Sequence, residues 1–262
     1  MTIRIALAQV TSTDDVAKNL ATIDDYASRA AAEGARLVVF PEAMMRCFGG
    51  ASLAEIAQPL DGPWANAVRA IAERTGITVA AGMFTPADDG RVRNTLLVTG
   101  GGVDAHYDKI HLFDAFGFAE SDTVSPGQDP LVLEIAGVRV GFAICYDVRF
   151  PGLFLTLADN GARLNVVSAS WGAGPGKVEH WELLARARAL DTTTFVAACD
   201  QAPPADYQGS APRGVGHSLV AAPDGRVLES LGDDPDLLIV DIDLDAVDAV
   251  RQSLPVLANR RI

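Results

Sequence analysis

Three residues stand where polar side chains end or interrupt apolar runs: Glu42 follows LVVF at 37–40, Lys109 sits inside YDKIHLF at 107–113, and Cys145 follows VGFAI at 140–144. A carboxylate, an ammonium and a thiol have complementary chemistry when they meet. The carboxylate takes the thiol proton, the thiolate attacks a carbonyl carbon, and the ammonium stabilises the oxyanion that forms. Each residue alone also has an ordinary explanation: a solvated strand-end glutamate, an edge lysine that discourages sheet-to-sheet pairing, and a small buried cysteine. The chemistry depends on their convergence.

Strand ends in α/β folds provide such a meeting place, because side chains converge there while the loops remain free to vary. Residues 3–10 read as a strand, and Val16, Leu20, Ile23, Ala27 and Ala30 recur at helical spacing until Gly34. LVVF, closed by Pro41, is a short strand covered on both faces. Pro63 opens a helix that carries Trp64, Val68 and Ile71 on one face up to Gly76, and Thr78 to Phe84 is the next strand. Segments 92–99, 103–112, 131–135 and 138–144 read as strands, the last two joined by a hairpin at Ala136-Gly137. A helix over 151–160, a strand over 164–169, a helix over 178–190 and a strand from Phe195 to Cys199 follow. Hairpin strands 217–222 and 226–231, a strand at 237–243 and a helix from Leu244 complete the chain. The long irregular segments 113–130 and 201–216 have the length of functional loops.

The 262 residues suit one α/β domain spanning 1–262, and 49% hydrophobic with 21% charged residues describes a folding chain. The net charge of −13 opposes nucleic acid and anionic membrane surfaces as partners. MTIRIALAQV lacks a small-residue cleavage site and reads as a first strand, and no apolar run reaches the roughly 18 residues of a membrane span. A cytoplasmic location with reduced thiols is expected. The four histidines and three cysteines show no metal-ligand spacing, and the glycine clusters form no nucleotide loop, so neither a metal nor a cofactor is expected.

PE at 41–42, KIHLF at 109–113 and CYDVRFP at 145–151 occur in that order, within similarity running from IRIALAQV at 3–10 through GHS at 216–218 to LPV at 254–256. Together they resemble the nitrilase superfamily of carbon-nitrogen hydrolases. CYDVRFP with HWELLARARA at 180–189 looks most like its Nit-type amidase branch. The resemblance implies a four-layer αββα sandwich and a catalytic Glu-Lys-Cys triad, here Glu42, Lys109 and Cys145. It also implies a second glutamate from the loop after the lysine, matched by Glu120 in FAES, which orients the lysine and the substrate amide. The implied activity is cofactor-free hydrolysis of a small primary amide through a cysteine thioester, with the backbone N–H of Tyr146 joining Lys109 at the oxyanion. Cys-Tyr-Asp resembles amidases more than the Cys-Trp-Glu of nitrilases. A nitrilase, a carbamoyl-amine hydrolase and an idle binding protein of the same fold remain alternatives. The branch implies carboxylate-bearing substrates of omega-amidase or deaminated glutathione amidase type, and a homodimer or higher even-numbered oligomer in which LPVLANRRI could exchange between subunits. Gly152 departs from the acidic residue common in the branch.

Arg46, Arg149, Lys177 and Arg213 lie next to candidate pocket segments and are the cations available to a substrate carboxylate. Trp171, in a glycine-rich loop after a strand, reads as a pocket wall. Arg188 shares a helical face with Trp181 and Ala185 and reads as a buried structural ion pair, while Glu182 and Arg186 are spaced for an i,i+4 pair. Cys47 and Cys199 have no charged residues arranged around them in sequence and read as core or surface thiols.

Overall fold

The computed structural model describes every residue except Ala51, Asp206 and Ile262; Asp206 of the 201–216 loop and Ile262 of the C-terminal stretch therefore lie outside the described residues. In chain order the strands are β1 (Thr2–Gln9), β2 (Leu37–Val39), β3 (Thr78–Pro86), β4 (Val92–Gly100), β5 (Val103–Asp108), β6 (Asp114–Ala115), β7 (Phe118–Ala119), β8 (Val132–Ile135), β9 (Val138–Ile144), β10 (Leu164–Ala169), β11 (Phe195–Asp200), β12 (Leu219–Ala221), β13 (Val227–Ser230) and β14 (Asp236–Asp243). The helices are α1 (Val16–Ala32), α2 (Leu53–Ile56), α3 (Pro63–Thr75), α4 (Pro151–Asp159), α5 (Lys177–Thr192), α6 (Asp245–Ser253) and α7 (Val256–Asn259).

Among the described residues the strands form two six-stranded sheets, ordered β14-β1-β2-β3-β4-β5 and β13-β12-β11-β10-β9-β8, plus the small β6-β7 hairpin. Parallel pairing holds β1, β2 and β3 together in one sheet and β9, β10 and β11 in the other, with antiparallel strands outside them. Strand alternation divides each central strand between two cores. Ile5, Leu7, Leu37 and Val39 face the other sheet and share a core with Phe142, Leu164 and Val166. Ala6, Ala8, Val38 and Val79 face outward under Ile23 and Ala27 of α1 and Trp64 and Val68 of α3. On the far side, Phe154 and Leu157 of α4 and Trp181 and Ala185 of α5 cover the second sheet. The result is the expected αββα layering.

Polar bonds stitch the inner faces together. Ser168 donates to the Phe40 carbonyl at 2.8 Å, and the Cys199 thiol donates to the Val39 carbonyl at 3.3 Å, which makes Cys199 a core thiol. Two sequence readings are corrected. The strand expected over 103–112 ends at Asp108, because Gly127 packs directly on the Asp108 carbonyl and the chain turns inward. Glu182 and Arg186 do not pair: Arg186 Nε donates to the Gly225 carbonyl at 2.8 Å, and Glu182 faces His217 at 3.5 Å. Tertiary partners thus displace the local i,i+4 contact. Among the described residues no helix is long and apolar enough to cross a membrane.

Candidate active site

The C-terminal ends of the parallel strands in both sheets open on one cavity. Glu42 lies just beyond β2, in a turn where Ala43 has φ of 58°. That turn presses on β3 so closely that a Cβ at Gly82 would lie 2.6 Å from the Ala43 nitrogen, so the absence of a side chain at Gly82 lets Glu42 reach its position. Cys145 follows β9 directly as the first residue of a 3-10 turn, Cys145–Arg149, with φ of 46°. A non-glycine residue in this left-handed region carries strain on the order of 1–2 kcal/mol, which the surrounding bonds must overcome. Lys109 enters from the first sheet one residue past β5, its N–H donating to the Asn94 carbonyl at 2.9 Å. It points inward rather than guarding an edge.

These side chains form one buried cluster, with Glu42, Lys109 and Glu120 only 2%, 3% and 4% exposed. Lys109 Nζ is 3.0 Å from Glu42 Oε1 and 3.1 and 2.9 Å from the two Glu120 oxygens. Asn94 Nδ2 donates to both carboxylates, at 2.7 Å to Glu42 and 3.2 Å to Glu120. The Ser170 N–H donates to Glu42 Oε2 at 2.9 Å, and the Phe113 N–H to Glu120 Oε2 at 2.7 Å. Buried charges of this kind persist only when their lone pairs and protons are satisfied.

Electrostatics assign the resting protons. Burial pulls the Lys109 ammonium down, but Glu120 and Glu42 outweigh it and hold its pKa well above the ordinary lysine value. Lys109 is therefore charged at neutral pH. Burial raises the Glu42 carboxyl above the usual carboxylate range, with Lys109 pulling it back and Glu120 adding to the rise, which makes it a stronger base. Burial, with the Glu42 charge adding, also holds the Cys145 thiol well above its ordinary value, against the pull of Lys109. The thiol therefore rests protonated.

Cys145, Glu42, Lys109 and Glu120 all line the cavity, together with Tyr146 and Trp171. Of the four candidate cations, Arg149 and Lys177 line it too. Arg46 instead stands 3.6 Å from Asp14, and Arg213 donates to the Ser12 carbonyl at 3.1 Å. Lys177 lies 4.5 Å from the Phe116 ring centroid and Arg149 5.1 Å from that of Trp171, each cation over an aromatic face. Trp171 is both wall and core, since its ring also packs on Trp181 at 5.3 Å. Arg188 pairs with Asp191 at 2.8 Å, the structural role expected of it. Cys47 does have charged neighbours: its thiol donates to Asp14 at 3.3 Å, and burial with that bond pushes it up to about 11.

Sequence reasoning missed the residues that hold the cluster in place. Asn94 bridges the glutamates, Gln201 Nε2 donates to the Glu42 carbonyl at 2.8 Å, and Asp200 accepts the N–H groups of Trp171 and Val215, both at 2.8 Å. Burial pushes Asp200 up to about 7 despite those donors. Only the position of Asp200 at the end of β11, level with the other strand ends, could have signalled it. Among the described residues no three His, Cys, Asp or Glu side chains gather as a metal cage.

Residues 4–252 match the carbon-nitrogen hydrolase family. The chain is 57% identical to a hydrolase of Mycobacterium tuberculosis over 98% of this chain and 95% of that one. It is 35% identical to the deaminated glutathione amidase of Escherichia coli O157:H7, over 98% and 97% of the two chains. With an omega-amidase of Danio rerio it shares 34% identity, over 98% and 94%. Among solved structures it matches the C. elegans NitFhit protein with a TM-score of 0.89 at 29% identity, covering 99% of this chain and 65% of that one. It also matches an amidase from Nesterenkonia sp. AN1, solved as a double mutant in complex with acrylamide, with a TM-score of 0.82 at 29% identity over 99% and 94%.

Proposed function

The chain belongs to the carbon-nitrogen hydrolase family, and on that premise we propose that it hydrolyses a small primary amide bearing a carboxylate, through a thioester on Cys145. The observation that carries this reading is the convergence of Glu42, Lys109, Glu120 and Cys145 on one cavity. Glu42, with its raised basicity, takes the Cys145 proton as the sulfur attacks the amide carbon. Lys109 and the Tyr146 N–H stabilise the resulting oxyanion, while Glu120 orients Lys109 and the amide nitrogen. The proton held by Glu42 passes to the leaving nitrogen, ammonia departs, and the acyl group remains on sulfur. Glu42 then activates water, which attacks the thioester to release the carboxylic acid and restore the thiol.

Arg149 and Lys177 favour a substrate with a carboxylate at its far end, because a net charge of −13 would otherwise repel an anion. The omega-amidase and deaminated glutathione amidase relatives support amide chemistry of this kind. Ammonia release from a panel of monoamides, with and without a terminal carboxylate and of increasing length, tests the reading. Preference for carboxylate-bearing amides is expected. Turnover confined to nitriles or to carbamoyl amines, or no turnover on any of them, overturns it.

A further inference from the structure

Asp147 has no exposed surface, and its carboxylate takes four donors. Oδ1 accepts the His111 backbone N–H at 2.9 Å and lies 2.7 Å from His111 Nδ1. Oδ2 accepts the Tyr107 hydroxyl at 2.7 Å and the Ile144 N–H at 2.9 Å. Tyr107 and His111 flank Lys109, whereas Ile144 and Asp147 bracket Cys145. Because β5 belongs to one sheet and β9 to the other, a single carboxylate ties together the segments that present the ammonium and the thiol. Its bond to Ile144 also closes the turn that keeps Cys145 in its left-handed conformation.

The imidazole is oriented as closely as the carboxylate. Facing a carboxylate, Nδ1 carries the proton and donates. The ring lies flat on Phe150, with centroids 3.7 Å apart and planes within 6°. Phe150 in turn meets Tyr146 edge-on at 5.2 Å, so the stack continues to the residue whose N–H faces the oxyanion in the proposed chemistry. Neither His111 nor Asp147 is among the described residues that line the cavity.

From this geometry we infer that Asp147 and His111 are positioning residues, a clamp across the two sheets that sets Lys109 against the Cys145 sulfur. The inference rests on the reading of Lys109 and Cys145 as the reacting pair. His111→Phe keeps a ring on Phe150 and removes both ring nitrogens, the Nδ1 donor to Asp147 among them, whereas His111→Asn restores an N–H near Nδ1 and gives up the ring. Loss of a hydrogen bond to a buried carboxylate should lower kcat of His111→Phe by about 10- to 100-fold, with KM within about threefold. Alkylation of Cys145 by iodoacetamide should slow in parallel.

His111→Asn should recover most of both losses, and Asp147→Asn, which sets a donor against donors, should lose more than either. If His111→Phe stays within about twofold of the unaltered protein in kcat and alkylation, or if the Asn variant falls as far as the Phe variant, the side chain only fills space and the clamp is overturned. The two His111 variants decide the matter even if Asp147→Asn does not fold. Failure of the underlying reading is seen separately, as amide turnover that survives Cys145→Ala, and the alkylation rates still read the clamp in that case.

Discussion

The floor and the outer wall of the cavity are built on opposite plans. At the floor, Glu42, Lys109 and Glu120 give up solvent and Lys109 donates to both glutamates, with Asn94 of β4 and the Ser170 N–H just beyond β10 as further donors, so that both sheets contribute. At the wall, the β6-β7 hairpin pairs only two residues per strand and turns through Phe116 and Gly117, with Phe116 87% and Phe118 50% exposed. Its cations, Arg149 and Lys177, lie over aromatic faces rather than in buried ion pairs. A buried floor fixes reacting atoms within a fraction of an ångström, because each charge would be costly anywhere else. The exposed tip of the hairpin, Phe116 and Gly117, can vary with little effect on that floor, to which the base of the hairpin is tied through Glu120 and the Phe113 N–H. The reaction should therefore belong to one region and the choice of substrate to the other.

The sharpest break between the regions is expected at the sulfur. Cys145→Ala should lower ammonia release by at least about 10⁴-fold for every amide, because the covalent route is lost altogether. Circular dichroism and thermal melting should show an intact fold, since the lost group is one small atom. Glu42→Gln keeps the shape but removes the proposed base and sets an NH2 against one of the donors that Glu42 now accepts; kcat should fall by about 10³-fold, again for all substrates. Lys109→Arg keeps the charge in a larger, planar group that cannot meet both glutamates, and should cost about 100-fold or more, the scale of a lost oxyanion donor. A variant of any of these three residues that changed KM for one substrate only would erase the distinction between floor and wall.

Wall substitutions should act in the other way. Lys177→Met and Arg149→Gln should raise KM for a carboxylate-bearing monoamide by about 10- to 100-fold, the scale of a charge-assisted hydrogen bond, and shift a neutral amide by no more than a few-fold. Steady-state kinetics on the two substrates side by side reads this directly.

The last effect is on stability rather than turnover, and concerns pH. Burial raises Asp200 to about 7, so between its unfolded value and pH 7 the folded protein keeps a proton that the unfolded chain releases. That stability is present below about pH 4 and is lost as the pH rises through about 7, with an upper bound of about 4 kcal/mol. Urea unfolding from pH 4 to 8 should show a shallower fall for Asp200→Asn than for the unaltered protein. Equal slopes would mean that Asp200 is ionised throughout.

The floor was more legible in sequence than the wall, for a physical reason. A glutamate after LVVF and a cysteine after VGFAI interrupt strong apolar patterns, and a pattern reader sees interruptions. Glu120 interrupts nothing; only the resemblance of its loop pointed to it. Asn94 and Asp147 escape single-chain patterning because, apart from the local Ile144–Asp147 bond, the partners that give them meaning lie 26 or more residues away. The overrun of the strand to residue 112 has the same origin, since β5 is ended by Gly127 packing on it rather than by its own sequence. The hairpin at Ala136-Gly137 and the succession of strands and helices are readable because they follow from local periodicity and turn chemistry, whereas the four layers are implied by the resemblance alone. Selecting Arg149 and Lys177 from four cations required their positions in space.

The three cysteines offer the most direct test of the central claim. All three are buried and reduced, but only Cys145 lines the cavity among the described residues. Titration with iodoacetamide, with peptide masses locating the label and ammonia release measured on the same samples, should show activity lost in proportion to alkylation of Cys145, with Cys47 and Cys199 unlabelled. Full ammonia release from protein alkylated at Cys145, or activity lost while Cys145 is unmodified, contradicts the assignment of Cys145 as the nucleophile.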